Sequence, residues 1–322
     1  MTNPLIPKFQ NKKIAYSVLN WGMGHLTRSL SVFKELSKNN EVHFFGDVDQ
    51  INFLKVEDCQ IVYHEFSNYN LNFSGKSFLV EMIFNSPRMI QAIQVENAQI
   101  QKIQEKENFD LIISDNRFGF RIEGVKSVIL THQLNIKSPL FEKQGSKLNQ
   151  IYLNKFDEIW VPDDANHTFS GELSRAELKK PVIFLGNISD LKCTYSPKTI
   201  DYFVIGSGPE PYRSEFMMKM YHHLSTLGKK VVMTGFPKFE SEYENIIIQE
   251  QMNRNQIEEN INQAHCVLSK AGYTTLLDLA QCKAKAILFP TKTQYEQEYL
   301  AEHLNNHPHF TFLSETEISS ID

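Results

Sequence analysis

Short apolar segments without polar alternation recur along almost the whole chain, and helical or turn patterns separate them. The segments of the first half are residues 13–19, 41–46, 59–65, 110–115, 127–132, 158–163 and 181–186. Strands rich in valine and isoleucine that lack a polar face are covered on both sides, as in a parallel sheet between two layers of helices. The alternation therefore predicts a doubly wound α/β domain in the first half of the chain.

The same alternation begins again after a polar segment, residues 187–199, which contains Pro197. The apolar segments beyond it are residues 201–205, 229–235, 266–270 and 285–290. A chain of 322 residues is also long enough for two domains of about 150 residues each. The sequence therefore predicts two Rossmann-like domains, residues 1–188 and 189–322, that face each other across a cleft.

Composition narrows the classes of partner. The net charge of -5, from 33 basic and 38 acidic residues, gives no basic footprint for nucleic acid. The four cysteines have neither metal-ligand nor CxxC spacing, which is typical of reduced thiols in the cytosol. The N-terminal residues contain no signal-peptide segment, and no apolar run approaches the ~20 residues that span a bilayer. We therefore expect a cytoplasmic protein with no nucleic-acid partner.

The first glycine-rich turn, "GMGH" at residues 22–25, follows the first apolar segment. Gly22 and Gly24 let the backbone approach a ligand, next to the exposed amides of a helix N-terminus. That terminus disfavours an imidazolium, so we expect His25 to be neutral and able to accept a proton. Asp115 ends another predicted strand and would orient the imidazole from the same edge of the sheet. Alternatively, His25 caps the turn and Asp115 is a helix-cap or turn residue.

Two more glycine-rich turns lie in the second half, at residues 205–210 and 269–275. Gly272 opens a predicted helix, with Thr274 and Thr275 at its start and Asp278 one helical turn further on. Backbone amides and hydroxyls at a helix start suit a pyrophosphate, and a carboxylate one turn later suits a ribose diol. Taken alone, Asp278 is better explained as a polar residue of a surface helix.

Together, these turns resemble the motifs of a GT-B glycosyltransferase of the MurG-like group, the relatives of the peptidoglycan GlcNAc transferase. The GxGH-type turn of that group, often followed by an arginine, matches Gly22, Gly24, His25 and Arg28. The motifs of its nucleotide-sugar domain, GS-G, S-x-x-G-x-x-T-x-x-E and P-x(n)-Q-x-x-N-A, match Gly206, Ser207, Gly208, Ser269, Gly272, Thr275, Pro290, Gln297 and Ala301. The chain departs from the group at Asp278, which replaces a glutamate, and at Leu300, which replaces an asparagine.

The resemblance implies a GT-B fold, with an acceptor-binding domain at 1–188 and a nucleotide-sugar-binding domain at 189–322. It implies that His25 is the catalytic base and Asp115 its partner, in the inverting transfer of a hexose or N-acetylhexosamine from a UDP-sugar, with UDP-GlcNAc as the first candidate. The implied acceptor is a hydroxyl of a glycan or a lipid-linked molecule. Its binding residues are Gly22, Gly24, Arg28, His132 and Gln133, although His132 is equally a candidate core histidine. The implied donor-binding residues are Gly206, Ser207, Gly208, Ser269, Gly272, Thr274, Thr275, Asp278, Gln294, Glu296 and Gln297.

Neither a cofactor nor a metal ion is expected. The acidic DxD signature is absent from the second half, and the "DVD" at residues 47–49 lies in the first domain, away from the donor motifs. Backbone amides would therefore neutralise the leaving diphosphate.

Three other activities stay open: a UDP-sugar hydrolase of the flagellin-sugar pathway type, which shares the fold and the GxGH-x-x-R turn; a non-hydrolysing epimerase; and a non-catalytic nucleotide-sugar-binding subunit. The apolar residues 78–84 begin a helical stretch that extends to residue 107. They form either a helix packed on the sheet or a peripheral contact with the inner face of the membrane.

Overall fold

A computed structural model of the chain describes residues 5–20, 24–57, 59–69, 78–139, 141–236 and 240–322, without the side chains of residues 78–86. These residues form two compact units. The first contains most of the described chain up to Ile188, and the second contains Ser189–Asp322 together with Gly24 and residues 78–81. Each unit is built around its own parallel sheet.

The first unit contains a seven-stranded sheet in the order β3-β2-β1-β4-β5-β6-β7, with every pair of neighbours parallel. Its strands are β1 (Lys13–Val18), β2 (Glu41–Gly46), β3 (Val62–Glu65), β4 (Leu111–Asp115), β5 (Lys126–Leu130), β6 (Glu158–Val161) and β7 (Val182–Phe184). Its helices are α1 (Gly24–Leu36), α2 (Val48–Val56), α3 (Phe78–Glu107) and α4 (Glu142–Leu153). The strand order reverses direction between β1 and β4, which makes the carboxyl ends of these two strands the expected ligand position.

The second unit contains a six-stranded sheet in the order β10-β9-β8-β11-β12-β13, again parallel throughout. Its strands are β8 (Ile200–Ile205), β9 (Val231–Thr234), β10 (Ile246–Gln249), β11 (Ala264–Lys270), β12 (Ala286–Phe289) and β13 (Phe310–Phe312). Its helices are α5 (Tyr212–Leu224), α6 (Arg254–Gln263), α7 (Tyr273–Gln281) and α8 (Tyr295–His303). The equivalent reversal lies between β8 and β11.

The central strands are buried on both faces, as their unalternating sequences predict. All five residues of β4 are buried, and so are five of the six residues of β1. On one face of the first sheet, Phe33 of α1 packs between Tyr16 and Phe44, with ring centroids 4.4 and 5.6 Å away. This packing holds α1 against β1 and β2, and so fixes the start of α1 beside the end of β1.

The two edge strands of the second sheet, β10 and β13, are absent from the sequence prediction. They contain only four and three residues, and the side chains of β10 alternate between buried and exposed. The helical stretch around Pro87 forms one helix, α3, which continues through the proline. The membrane prediction for residues 78–84 concerns side chains outside the described set. No helix in the described ranges combines the length and the apolarity needed to cross a bilayer.

Candidate active site

The candidate catalytic residues of the first unit meet where its strand order reverses. Asp115 is the last residue of β4, in register with Val18 at the end of the neighbouring β1. His25 is the second residue of α1, which follows β1. The Nδ1 atom of His25 lies 2.8 Å from Oδ1 of Asp115, and the imidazole keeps 18% of its surface exposed. The predicted pairing of these two side chains is therefore present in the structure.

Arg28 completes this cluster from one helical turn further along α1. Its Nε donates to Oδ2 of Asp115 at 2.8 Å, and its Nη2 contacts Oδ1, while the Ser29 hydroxyl also donates to Oδ2 at 3.1 Å. Arg28 is 2% exposed and Asp115 is fully buried. The guanidinium of Arg28 is thus bound to Asp115 inside the first unit, and the prediction that Arg28 binds the acceptor stays a prediction.

The electrostatics of the cluster favour a carboxylate beside a neutral imidazole. Burial alone would raise the pKa of Asp115, but the charge of Arg28 and the hydrogen bonds from His25 and Arg28 lower it to about 2. Burial and the neighbouring charge of Arg28 lower the pKa of His25, against the opposing effect of Asp115. His25 is thus neutral near pH 7, as predicted, although burial is the largest cause.

His132 belongs to the same cluster, and Gln133 lies beside it. His132 is 3% exposed, and its Nδ1 lies 3.4 Å from Nη1 of Arg28. The Gln133 side chain is partly exposed, while its backbone amide donates to the Thr131 hydroxyl at 3.1 Å. Of the two glycines assigned to this turn, Gly24 is the first residue of α1, and Gly22 lies outside the described residues.

In the second unit, the Gly206–Gly208 turn follows β8 and requires its glycines for steric reasons. A Cβ on Gly206 would lie 2.7 Å from the carbonyl oxygen of Gly235, and Gly208 has a φ of 97°. Ser207 between them is partly exposed. The chain at this sheet edge therefore consists of closely packed backbone, which leaves little side-chain bulk near a ligand.

The second glycine-rich turn leads from β11 into α7. Gly272 occupies the position before the helix, and no side chain caps this N-terminus among the described residues. Thr274 is buried and Thr275 is partly exposed within the first turn of α7. The helix start therefore offers backbone amides and one accessible hydroxyl for an anion, as the sequence predicts.

Asp278, the predicted ribose ligand, has hydrogen-bond partners within the second unit. Both of its oxygens accept hydrogen bonds from Arg254 of α6, each at 2.9 Å, and Oδ1 also accepts the Ser189 hydroxyl at 2.5 Å. Arg254 in turn donates twice to Asp190, at 2.9 and 2.7 Å. The Asp278 carboxylate is 11% exposed, and three hydrogen bonds within the second unit anchor it to Arg254 and Ser189. Its assignment as a ribose ligand stays a prediction.

Other predicted donor residues have internal partners as well. The buried Ser269 hydroxyl donates to the carbonyl of Ile205 at 2.9 Å, which ties β11 to β8. Gln297 is 6% exposed, and its Oε1 accepts the Thr291 amide at 2.8 Å. Gln294 and Glu296 lie partly exposed at the start of α8.

Some residues of this region were missed by sequence reasoning. Arg254 lies in a polar helix 24 residues before Asp278, so no local pattern connects them. Lys270 could have been found, because it lies between Ser269 and Gly272 of the recognised motif. It is 2% exposed and contacts Glu315; burial lowers its pKa and that carboxylate acts in the opposite direction.

The described residues contain no group of three or more His, Cys, Asp or Glu side chains that could hold a metal ion. Asp47, the first residue of the "DVD" sequence, caps α2. Its Oδ1 accepts the Gln50 amide at 2.9 Å, and the Asp47 backbone amide donates to Oε1 of Gln50 at 3.2 Å. This acidic sequence is therefore explained by helix capping.

Solved structures establish the fold class. The glycotransferase of kitacinnamycin superposes with a TM-score of 0.67 at 12% identity, over 98% of this chain and 88% of that one. The spinosyn rhamnosyltransferase SpnG, complexed with thymidine diphosphate, gives 0.64 at 10% identity, over 96% and 90%. UGT89C1 of Arabidopsis thaliana, complexed with quercetin, gives 0.66 at 9% identity, over 96% and 89%. The chain therefore has the GT-B fold, which confirms the predicted fold class.

The sequence of the second unit also matches a protein-family model. Residues 218–321 match the model of the glycosyltransferase family 28 C-terminal domain. A comparison with curated protein sequences gives no significant match. The resemblance drawn from the sequence is thus confirmed at the level of a GT-B fold with a family 28 C-terminal domain.

Proposed function

We propose that this protein is an inverting glycosyltransferase, which moves a hexose or N-acetylhexosamine from a UDP-sugar to an acceptor hydroxyl. The observation that carries the proposal is the 2.8 Å contact between His25 Nδ1 and Asp115 Oδ1 at the ligand-binding edge of a parallel sheet. The family 28 match and the GT-B neighbours support sugar transfer as the class of reaction.

In the proposed step, Nε2 of His25 takes the proton of the acceptor hydroxyl, and the oxygen attacks the anomeric carbon from the face opposite the diphosphate. The bond from that carbon to the diphosphate oxygen breaks, and UDP leaves with the electron pair. Asp115 orients the ring through Nδ1 and stabilises the imidazolium as it forms. Attack from the opposite face inverts the anomeric carbon.

We assign donor binding to the second unit, through backbone rather than a metal ion. The glycine turn at 206–208 and the start of α7 offer amides for the diphosphate charge. Gln294, Glu296 and the amide nitrogen of Gln297 are proposed to bind the sugar hydroxyls. UDP-GlcNAc is the first donor to test, and TDP-sugars follow because SpnG was solved with thymidine diphosphate.

The dyad could also act on water, because its partly exposed imidazole is the same group that a sugar-nucleotide hydrolase would use. We therefore propose one experiment for both reactions: incubation with UDP- and TDP-sugars, with and without glycan or lipid-linked acceptors, while released nucleotide and free sugar are measured. Acceptor-dependent nucleotide release supports the transferase. Equal release of nucleotide and free sugar without acceptor indicates the hydrolase. Nucleotide binding without turnover indicates a binding subunit, and no binding of any nucleoside diphosphate contradicts the proposal.

A further inference from the structure

The guanidinium of Arg28 reaches three polar side chains that come from three different parts of the first unit. It holds both oxygens of Asp115, at the end of β4. Its Nη2 lies 2.8 Å from Nδ1 of His25, and its Nη1 lies 3.4 Å from Nδ1 of His132, beyond β5. A side chain that is 2% exposed therefore connects the proposed base, its carboxylate partner and a second histidine.

The protons at these contacts can be counted. Arg28 only donates and an ionised Asp115 only accepts, whereas Nδ1 of His25 does one or the other. A bare Nδ1 would accept from Arg28 but would place its lone pair 2.8 Å from the carboxylate Oδ1. A protonated Nδ1 donates to that oxygen, which also receives Nη2 of Arg28. The second arrangement gives both oxygens of Asp115 their donors, places the N–H groups of His25 and Arg28 side by side on Oδ1, and leaves Nε2 of His25 as the ring's acceptor. It avoids the repulsion between a lone pair and the carboxylate.

We propose that Arg28 is a positioning residue, which fixes the Asp115 carboxylate in two places and thereby keeps His25 neutral with its proton on Nδ1. This inference rests on the proposed function, in which His25 is the base. Arg28 touches neither donor nor acceptor in this role, and its fork of donors matches the carboxylate in a way that a lysine cannot reproduce.

The charged and titratable groups around His25 explain why the arginine matters. They are Asp115 from β4, Arg28 from α1 and His132 beyond β5, with Tyr16 of β1 connected to Asp115 through Ser29. Asp115 alone would stabilise an imidazolium, which cannot act as a base. Burial and, after it, the charge of Arg28 oppose this, so the carboxylate can orient the ring without protonating it at neutral pH.

The test uses Arg28→Gln and Arg28→Lys, with Arg175→Gln as the control because Arg175 is 54% exposed and belongs to a surface pair with Glu172. NMR titration of the His25 ring, assigned from the spectrum of His25→Gln, gives its midpoint and its tautomer without any substrate. Circular dichroism confirms folding. In parallel, kcat is measured against pH with a donor that the wild-type protein turns over.

We expect the Nδ1–H tautomer in the wild-type protein. Arg28→Gln should raise the His25 midpoint by about one pH unit or more, and move the acid limb of kcat to higher pH by the same amount. Arg28→Lys should stay close to the wild-type midpoint and lose kcat more than KM, because the charge remains and the fork does not. Arg175→Gln should change neither quantity.

The proposal is overturned if the wild-type ring carries its proton on Nε2, or if a folded Arg28→Gln protein keeps the wild-type midpoint. If Arg28→Gln does not fold, the wild-type tautomer and the Arg28→Lys midpoint decide the question. An absence of sugar transfer would contradict the proposed function and leave the titration result intact, so the two failures are distinguishable.

Discussion

The arginine–carboxylate cluster of Arg28 in the first unit and that of Arg254 in the second unit use the same chemistry in different surroundings. In the first unit, Arg28 holds Asp115 through two donors, and in the second unit Arg254 holds Asp278 in the same way. Arg28 is 2% exposed and Arg254 is 6% exposed. Burial and pairing therefore do not distinguish the two clusters.

The difference lies in what else each carboxylate contacts. Asp115 contacts His25, an imidazole with 18% of its surface exposed, so a proton can pass between the cluster and a ligand. Asp278 contacts the Ser189 hydroxyl, and Arg254 continues to a second carboxylate, Asp190. The residues named in the second cluster, Ser189, Asp190, Arg254 and Asp278, include no imidazole. We infer that the first cluster serves catalysis and the second serves stability.

The largest expected effect is on catalysis in the first cluster. His25→Ala should lower kcat by 10²- to 10⁴-fold, about 3–5 kcal/mol of barrier, because the acceptor hydroxyl loses its base. UDP affinity, measured by calorimetry, should stay almost unchanged, since the donor site is assigned to the other unit. His222→Ala, at an exposed position of α5, is the control. Near-normal turnover by folded His25→Ala would show that His25 is not the base and that its ring only caps the turn.

The next effect concerns stability in the second cluster. Asp278→Ala leaves the Arg254 guanidinium short of a buried partner and should lower the free energy of unfolding by about 3 kcal/mol or more. Urea denaturation measures this loss. Glu35→Ala removes the exposed pair with Lys38 and should cost only about 0–1 kcal/mol. Equal losses in the two variants would show that the second cluster contributes no special stability.

A smaller effect concerns how the stability contributed by the first cluster depends on pH. The pKa of Asp115 is lowered from 3.8 to about 2, so its ionisation stabilises the fold fully above pH 4, and this stabilisation is lost as the pH falls towards 2. The amount is on the order of 2 kcal/mol. The unfolding free energies of wild type and Asp115→Asn should therefore converge by this amount between pH 5 and pH 2. A constant difference across this range would contradict the assigned ionisation.

Much of the fold could be predicted because the strands of both parallel sheets can be recognised from short apolar segments of the sequence. Buried parallel strands have continuous apolar sequences, so the central strands of both sheets are visible in the sequence. The edge strands β10 and β13 have four and three residues, and polar residues follow them closely in the sequence, so their local signal is weak. The equally short edge strands β3 and β7 lie in the longer predicted segments 59–65 and 181–186.

The site was predictable only in part, because local sequence shows the turns but not the tertiary contacts of their side chains. Glycine-rich turns beyond strand ends locate His25 and Asp115, since parallel strands bring their carboxyl ends to one edge. The partner of a buried carboxylate is set by tertiary packing, and Arg254 reaches Asp278 from another helix. Position in a motif predicts a ribose ligand at Asp278, but it does not reveal the ion pair with Arg254 that the structure contains.

The central claim is that His25 and Asp115 act as one base, and a double-mutant cycle tests it most directly. The variants are His25→Ala, Asp115→Asn and the double substitution, compared by kcat/KM with the same donor and acceptor. Residues that act as a unit have strongly non-additive effects, so the double variant should lose no more than His25→Ala alone. Additive losses, with the double variant slower than His25→Ala by the full factor of Asp115→Asn, would show that the two residues act independently and would contradict the account.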